Sequence, residues 1–527
     1  MSIGRALTDT INQIKRKEMF ILILCLLVGF SLRFYTFDQK SLWIDEVHTF
    51  NDSREGLKGQ LKYFKEHPAD FLHPPLFYVL TNLFHPFTRP ERDLRIIPLI
   101  FGTLSIPMIY FLGRLFSPTI AFPCALSLIF MTYHINFSQD GRSYSLLAFL
   151  GMVGLYFFLY HLKTDKKRDL LLVAFSFAIL FYTSYSSIPF IVLSQILWFY
   201  HMGENQKKPT FTSFLILNGT TLLLCAPWII FLILNYKGQP IADKVFIEEF
   251  GSLWNIIRGI FNDWVPFAPL TVISMILLIL FPIFSKYRKN AFILLAVIFF
   301  PIIGIYLFSK LFNIQHFFSS RYVINFLPLF FITIFLSLNT LEVKFEKWNR
   351  ILRFRLIFII LFIASNITIL PLYYRSEKQD FRGLVSYLNG HLQDGDKIFV
   401  NSIAYIPGIL HYFSVFPESR HYNFPVSWDD SGKEIKARVS IIGQTKKFTI
   451  HYSNAGFAQH VTKGTRLWIV VGTPATKKVK EHFPFILKGV FDGSVSHFRR
   501  FPEDASMYLF LWDPKSPREN GIDIPIE

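Results

Sequence analysis

Apolar residues fill long blocks of this chain between positions 19 and 373, and charged residues gather in the short gaps between them. Blocks that are apolar on every side read as membrane spans rather than as one-faced helices on a soluble core. The pattern places a first span from 19 to about 34. Ten more helices follow near 94–112, 119–138, 144–161, 169–186, 188–202, 211–234, 269–285, 291–310, 321–339 and 355–373, giving about eleven transmembrane helices. Residues 74–87, interrupted by His85-Pro86, are too short to cross and read as an interfacial helix.

Charge orders these spans. With 74–87 kept outside, Arg114 and the basic residues at 163–168, 207–208, 286–289 and 344–355 all fall on one side, the cytoplasmic one. If that segment crossed, every later cluster would face outward. Arg5, Lys15, Arg16 and Lys17 precede the first span, which has no small-residue cleavage site, so it reads as an uncleaved helix starting in the cytoplasm. The external regions are then 35–93, 235–268 and everything after 373.

From residue 374 the long apolar runs stop. Strand-like segments at 397–400, 467–471 and 507–511, with a helix expected over 381–392, predict a small soluble α/β domain. The expected organisation is a polytopic membrane domain over 1–373 and an extracytoplasmic α/β domain over 374–527.

Composition agrees with the pattern: 52% of the 527 residues are hydrophobic and 18% aromatic, more than a soluble core needs. The net charge of +17 sits mainly in loops between spans and forms no nucleic-acid motif. Cys25, Cys124 and Cys225 all lie in apolar stretches, where a thiol behaves as a small hydrophobe; no disulfide framework or cysteine metal site is legible. No phosphate-cradling glycine loop is present, which argues against a nucleotide-sugar donor used from the cytoplasm.

Candidate chemistry concentrates outside the bilayer. Ser41-Leu42-Trp43-Ile44-Asp45-Glu46 puts two carboxylates just after the first span; His73-Pro74-Pro75-Leu76 follows in the same loop. Phe137-Ser138-Gln139-Asp140-Gly141-Arg142-Ser143-Tyr144 sets an arginine at the outer end of another span. Ionisable groups at such positions are functional candidates by default, and together these suggest an acid/base site facing a lipid-borne anion. Each has an ordinary alternative. Asp45 and Glu46 also suit solvated loop residues or a helix N-terminal cap, and His73-Pro74-Pro75 a turn that starts the interfacial helix. Arg142, paired with Asp140, and Arg321 also suit snorkelling residues. Trp254, Trp264 and Asp263 in the second external loop read as interfacial anchors ahead of contacts to acceptor or carrier. His67, His73 and His85 share a loop with Asp45, Glu46 and Asp70 at spacings that match no ligand motif, so no metal is expected.

In order and spacing, these motifs resemble the GT-C superfamily of polyprenyl-phosphate-sugar-dependent glycosyltransferases, in its glycosyltransferase family 39 (protein O-mannosyltransferase) and lipid A aminoarabinose transferase branch. The match runs from the Asp45-Glu46 motif through 73–78 and 94–114 to Arg142, then more loosely to Ser320-Arg321-Tyr322 and Pro328. The C-terminal domain matches only around 380–383 and 394–396.

The resemblance implies transfer of one sugar, with inversion, from an undecaprenyl- or dolichyl-phosphate carrier to an acceptor hydroxyl at the external face of a cell membrane. It implies Asp45 as general base with Glu46 beside it, Arg142 and Arg321 on the donor phosphate, and His73, Tyr144 and Asp140 lining the substrate site. No cofactor is implied beyond the lipid-linked donor. The partners expected are membrane lipid, the carrier-linked sugar and a glycan, lipid or protein acceptor, with no nucleic acid. Two rivals stand beside this reading. A lipid-linked glycan ligase or polymerase would share the layout. A secondary transporter would show inverted repeats and Gly/Pro-broken helices in both halves, a pattern not apparent in the sequence.

Overall fold

The computed structural model describes residues 15–66, 73–164, 166–201, 210–235, 252–311, 319–415, 420–428, 434–453, 466–472, 486–494, 506–513 and 515. The chain divides into two compact units, one of residues 1–38 and 52–371, the other of 39–51 and 372–527.

The first unit is helical, and each expected span falls on helical backbone. Among the described residues, six helices are long and apolar enough to cross a membrane, or up to eight if each of two bent pairs is one span. The expected span at 188–202 is a short helix, Ile188–Leu193, running into a 3-10 turn, Ser194–Phe199. Residues 74–87 contain the helix Leu76–Thr81 and one 3-10 turn, well under a span's length. Tyr144–Thr164 and Ser320–Lys344 are the most buried spans, whereas Phe211–Asn235 leaves most of its apolar side chains exposed, as a helix wetted by acyl chains does.

Two breaks shape this unit: Pro118–Phe130 bends by 63° into Thr132–Ser138, and Leu253–Trp264 by 111° into Ala268–Phe284. The sequence pattern had indicated no such pair of broken helices. The first break strands the last carbonyls of Pro118–Phe130. Arg33, fully buried in the first helix, answers them by donating to the carbonyls of Leu128 at 2.8 Å and Ile129 at 3.3 Å, and its Nη2 lies 3.1 Å from His134 Nδ1. A guanidinium at a helix C-terminus also meets the negative end of the helix dipole. Past the break, Asn366 accepts the Thr132 N–H at 2.9 Å. Gly102 lets the helix Ile96–Phe116 come close here, since a Cβ at that position would collide with the Ser138 side chain.

The second unit is built on a seven-stranded sheet: β1 (Asp396–Val400), β2 (Arg420–Trp428), β3 (Glu434–Gln444), β4 (Phe448–Ser453), β5 (Leu467–Gly472), β6 (Ile486–Phe491) and β7 (Met507–Trp512), in the order β2-β3-β4-β1-β5-β7-β6. β1 pairs in parallel with β4 and β5, and the other pairs are antiparallel. The three strands legible from sequence are β1, β5 and β7, the most continuously apolar. Alternate residues Ile398 and Val400, Trp468 and Val470, and Leu509 and Leu511 make one core face with Phe381, Leu384 and Leu388 of the helix Phe381–His391. Asp380 caps that helix by accepting the Gly383 N–H at 2.8 Å.

Candidate active site

Asp45 and Glu46 open a helix, Ile44–Ser53, and the backbone before them is held by side chains at four consecutive amides. The Ser41 N–H donates to Glu377 at 3.0 Å, Leu42 to the Tyr412 hydroxyl at 2.7 Å, Trp43 to Glu46 Oε2 at 3.3 Å, and Ile44 to Gln379 Oε1 at 2.8 Å. Three of those four acceptors come from the C-terminal part of the second unit. Arg382 adds bonds to the carbonyls of Gln39 at 3.1 Å and Lys40 at 3.3 Å, and its own N–H donates to the Ser41 hydroxyl at 3.2 Å. Lys40 in turn reaches the Tyr373 carbonyl at 2.6 Å and that of Ser376.

The two carboxylates then differ. Glu46 is fully buried, and its reach back to Trp43 is one half of a capping box. Asp45 is only half-buried. The arrangement can present Asp45 to a substrate while Glu46 fixes the turn that carries it.

In the first unit, residues 139–143 join Thr132–Ser138 to Tyr144–Thr164. The Gln139 amide donates to the carbonyls of Arg33 at 2.8 Å and Tyr35 at 2.6 Å, so the turn is tied to the end of the first helix. The Arg142 N–H donates to the Asp140 carbonyl at 2.6 Å; Asp140 is buried, and Arg142 is half-buried. Asp52 lies in the field of Arg142. Burial lifts its carboxyl to about 6, and the guanidinium pulls the other way. Asp52 carries no motif in the sequence; the available signal is an acidic residue in the last turn of the helix that begins at Ile44.

Tyr144, two residues after Arg142, meets Arg321, whose guanidinium sits 5.7 Å from the Tyr144 ring centre and 5.2 Å from that of Tyr322. Phe137 packs edge-on against Tyr144 at 5.0 Å. The structure thus gathers Asp140, Arg142, Tyr144 and Arg321 in one unit, and Asp45 and Glu46 in the other. His73 is exposed, and its ring lies 6.2 Å from that of Tyr78.

The expectation that Trp264 and Asp263 are interfacial anchors is overturned. Trp264 is fully buried against Phe261 and Phe330, and buried Asp263 accepts the Ser320 hydroxyl at 2.6 Å, because the 111° bend folds that helix end inward. Trp254, at 58% exposure, keeps the anchoring reading. Among the described residues no three His, Cys, Asp or Glu side chains converge on a metal-sized site; His67 and Asp70 lie outside those residues.

With this geometry in hand, solved structures supply the comparison. The crystal structure of ArnT from Cupriavidus metallidurans in the apo state superposes with a TM-score of 0.53 at 12% identity, covering 94% of this chain and 98% of that one. At this identity the likeness shows a shared fold over nearly the whole of both chains. The same Cupriavidus protein bound to undecaprenyl phosphate gives a TM-score of 0.50 at 11% identity over the same shares. The family described as dolichyl-phosphate-mannose-protein mannosyltransferase matches residues 72–231, which include His73, Asp140, Arg142 and Tyr144. No curated protein sequence matches the chain.

Proposed function

We propose that this chain is a GT-C inverting glycosyltransferase that moves a single sugar from a polyprenyl-phosphate carrier to an acceptor hydroxyl at the external face of the membrane. The observation that carries the reading is the immobilised turn at 41–46, which holds four successive backbone amides and offers one half-buried carboxylate, Asp45. Undecaprenyl phosphate bound to the Cupriavidus protein supports a carrier of this class.

In the proposed reaction the acceptor oxygen attacks the anomeric carbon as its proton passes to Asp45. The bond from that carbon to the phosphate oxygen breaks, and both its electrons leave with the carrier phosphate. A positioned base contributes roughly 10²–10⁴-fold in such a step. Arg142 would meet the charge that develops on the leaving phosphate, where scarce water makes a guanidinium count for more. Arg321, stacked on Tyr144, and the buried Asp140 would shape the same donor site.

The test is transfer of label from a panel of polyprenyl-phosphate sugars in membranes carrying wild type, Asp45→Asn or Arg142→Ala at matched expression. Loss of transfer in both variants is expected. Undiminished transfer by Asp45→Asn would remove the proposed base. Transfer seen only with a lipid-linked oligosaccharide would replace this reading with that of a glycan ligase.

A further inference from the structure

The helix Leu327–Lys344 ends at a cavity of about 360 Å³, lined by Thr119, Pro123, Glu342, Arg353, Arg355 and Leu356 among others. Its lining mixes charged and polar side chains with the apolar Pro123, Leu356 and Ile359. Arg355 is already engaged: Nε meets Glu342 at 2.5 Å, its N–H reaches the same carboxylate at 2.9 Å, and Nη1 donates to the Thr119 carbonyl at 2.9 Å. Arg353 has no carboxylate partner among the described residues.

Arg353 is also held in the left-handed region, at φ +48° and ψ +66°, where it ends the short helix Glu346–Leu352. Glycine or asparagine normally fills that position, and a strained side chain of another type is a reason to look for a role. Here the strained residue places a cation at the cavity wall. Residues 342–355 carry Lys344, Lys347, Arg350, Arg353 and Arg355 against Glu342 and Glu346, five cations to two anions, a net +3. Beside them Val343, Trp348 and Ile351 are 75%, 64% and 78% exposed, the mixture of basic and large apolar side chains found on helices that lie in a bilayer interface.

We infer that this cavity binds the phosphate headgroup of an anionic phospholipid from the surrounding bilayer. Arg353 is the headgroup ligand, and Pro123 and Leu356 receive the first carbons of an acyl chain. The apolar lining residues and the exposed Trp348 and Ile351 favour a lipid over a soluble anion. The positive loops assign this end of the bundle to the cytoplasmic side, where acidic lipids give the membrane its negative potential. The site is independent of the transfer reaction proposed above.

The test uses the full-length protein, purified in neutral detergent and examined by native mass spectrometry and thermal unfolding with phosphatidylglycerol or phosphatidylcholine added. Wild type should retain phosphatidylglycerol roughly tenfold better and be stabilised by it. Arg353→Gly suits the left-handed backbone while removing the guanidinium, and should lose that preference; Arg353→Gln should do the same. Equal retention of the two lipids by wild type, or an unchanged preference in both variants, would overturn the inference. Competition by millimolar inorganic phosphate would also overturn it, by assigning the cavity to a soluble anion.

Discussion

The side-chain carbonyl of Gln379 accepts the backbone N–H of Ile44 at 2.8 Å, one residue before Asp45. With Tyr412 and Glu377 doing the same for Leu42 and Ser41, the C-terminal domain supplies the mould for the turn that carries the proposed base. Gln379→Ala and Tyr412→Phe each remove one acceptor and leave a backbone amide unsatisfied. Turnover should fall roughly tenfold in each, with the KM for the lipid-linked donor unchanged, because a small displacement of a reacting group costs rate rather than donor binding. Gln379→Glu keeps an acceptor at the same place and should recover most of the rate. A rise in donor KM without loss of turnover would show that these residues do not position Asp45.

Glu46 and Asp45 should separate cleanly. Glu46→Gln preserves the bond to the Trp43 amide and should retain activity, whereas Glu46→Ala loses the cap and should cost about 1 kcal/mol of stability. Asp45→Asn should leave thermal unfolding unaltered and lower turnover by roughly 10²–10⁴-fold. Steady-state kinetics beside thermal unfolding of the same preparations distinguishes the two roles; equal loss of turnover in Glu46→Gln would make Glu46 a reacting group.

Asp52 predicts a pH dependence in donor binding. Its carboxyl, lifted from an ordinary 3.8 to about 6, is charged above that value, and there it would compete with the proposed donor phosphate for Arg142. Donor KM should therefore be lower below pH 6 than above it by a few-fold, about 1 kcal/mol or less at a half-buried pair. Asp52→Asn should flatten the profile at the low value. The stability effect has the opposite sign to that of a salt-bridged acid. Between 3.8 and about 6 the folded chain holds a proton the unfolded chain releases, so stability falls as pH rises through that window and then levels off. A KM profile with the same inflection in Asp52→Asn would assign the titration elsewhere.

Arg33 should matter out of proportion to its place in an apolar helix. Arg33→Met keeps the bulk but leaves the Leu128 and Ile129 carbonyls unsatisfied at the helix break, at about 1–3 kcal/mol for each buried group. Because Gln139 ties the Arg142 turn to the backbone of Arg33 and Tyr35, donor KM should rise as well. Unfolding and donor titration of Arg33→Met check both; wild-type values for each would show that the break is satisfied without Arg33.

Much of this architecture was legible without coordinates. Apolar blocks must leave water whatever they pack against, so the spans could be read one at a time. β1, β5 and β7 were legible because central strands are apolar on both faces. β2, β3, β4 and β6 lack such runs, and their pairing depends on partners far along the chain. Trp264 was misread because its burial follows from a helix bend, whereas the composition around it is that of a membrane interface.

The sequence by itself determined the membrane class, the order of the spans and the residue types able to act as base and phosphate ligand, since hydropathy, charge and chemical type are local properties. Tertiary structure alone decided that Glu46 closes a cap while Asp45 stays half-buried, that Asp52 lies in the field of Arg142, and that Gln379 and Tyr412 hold the turn at 41–44. Each of these is a distance or a loss of water set by segments remote in sequence, and such quantities exist only once the chain has folded.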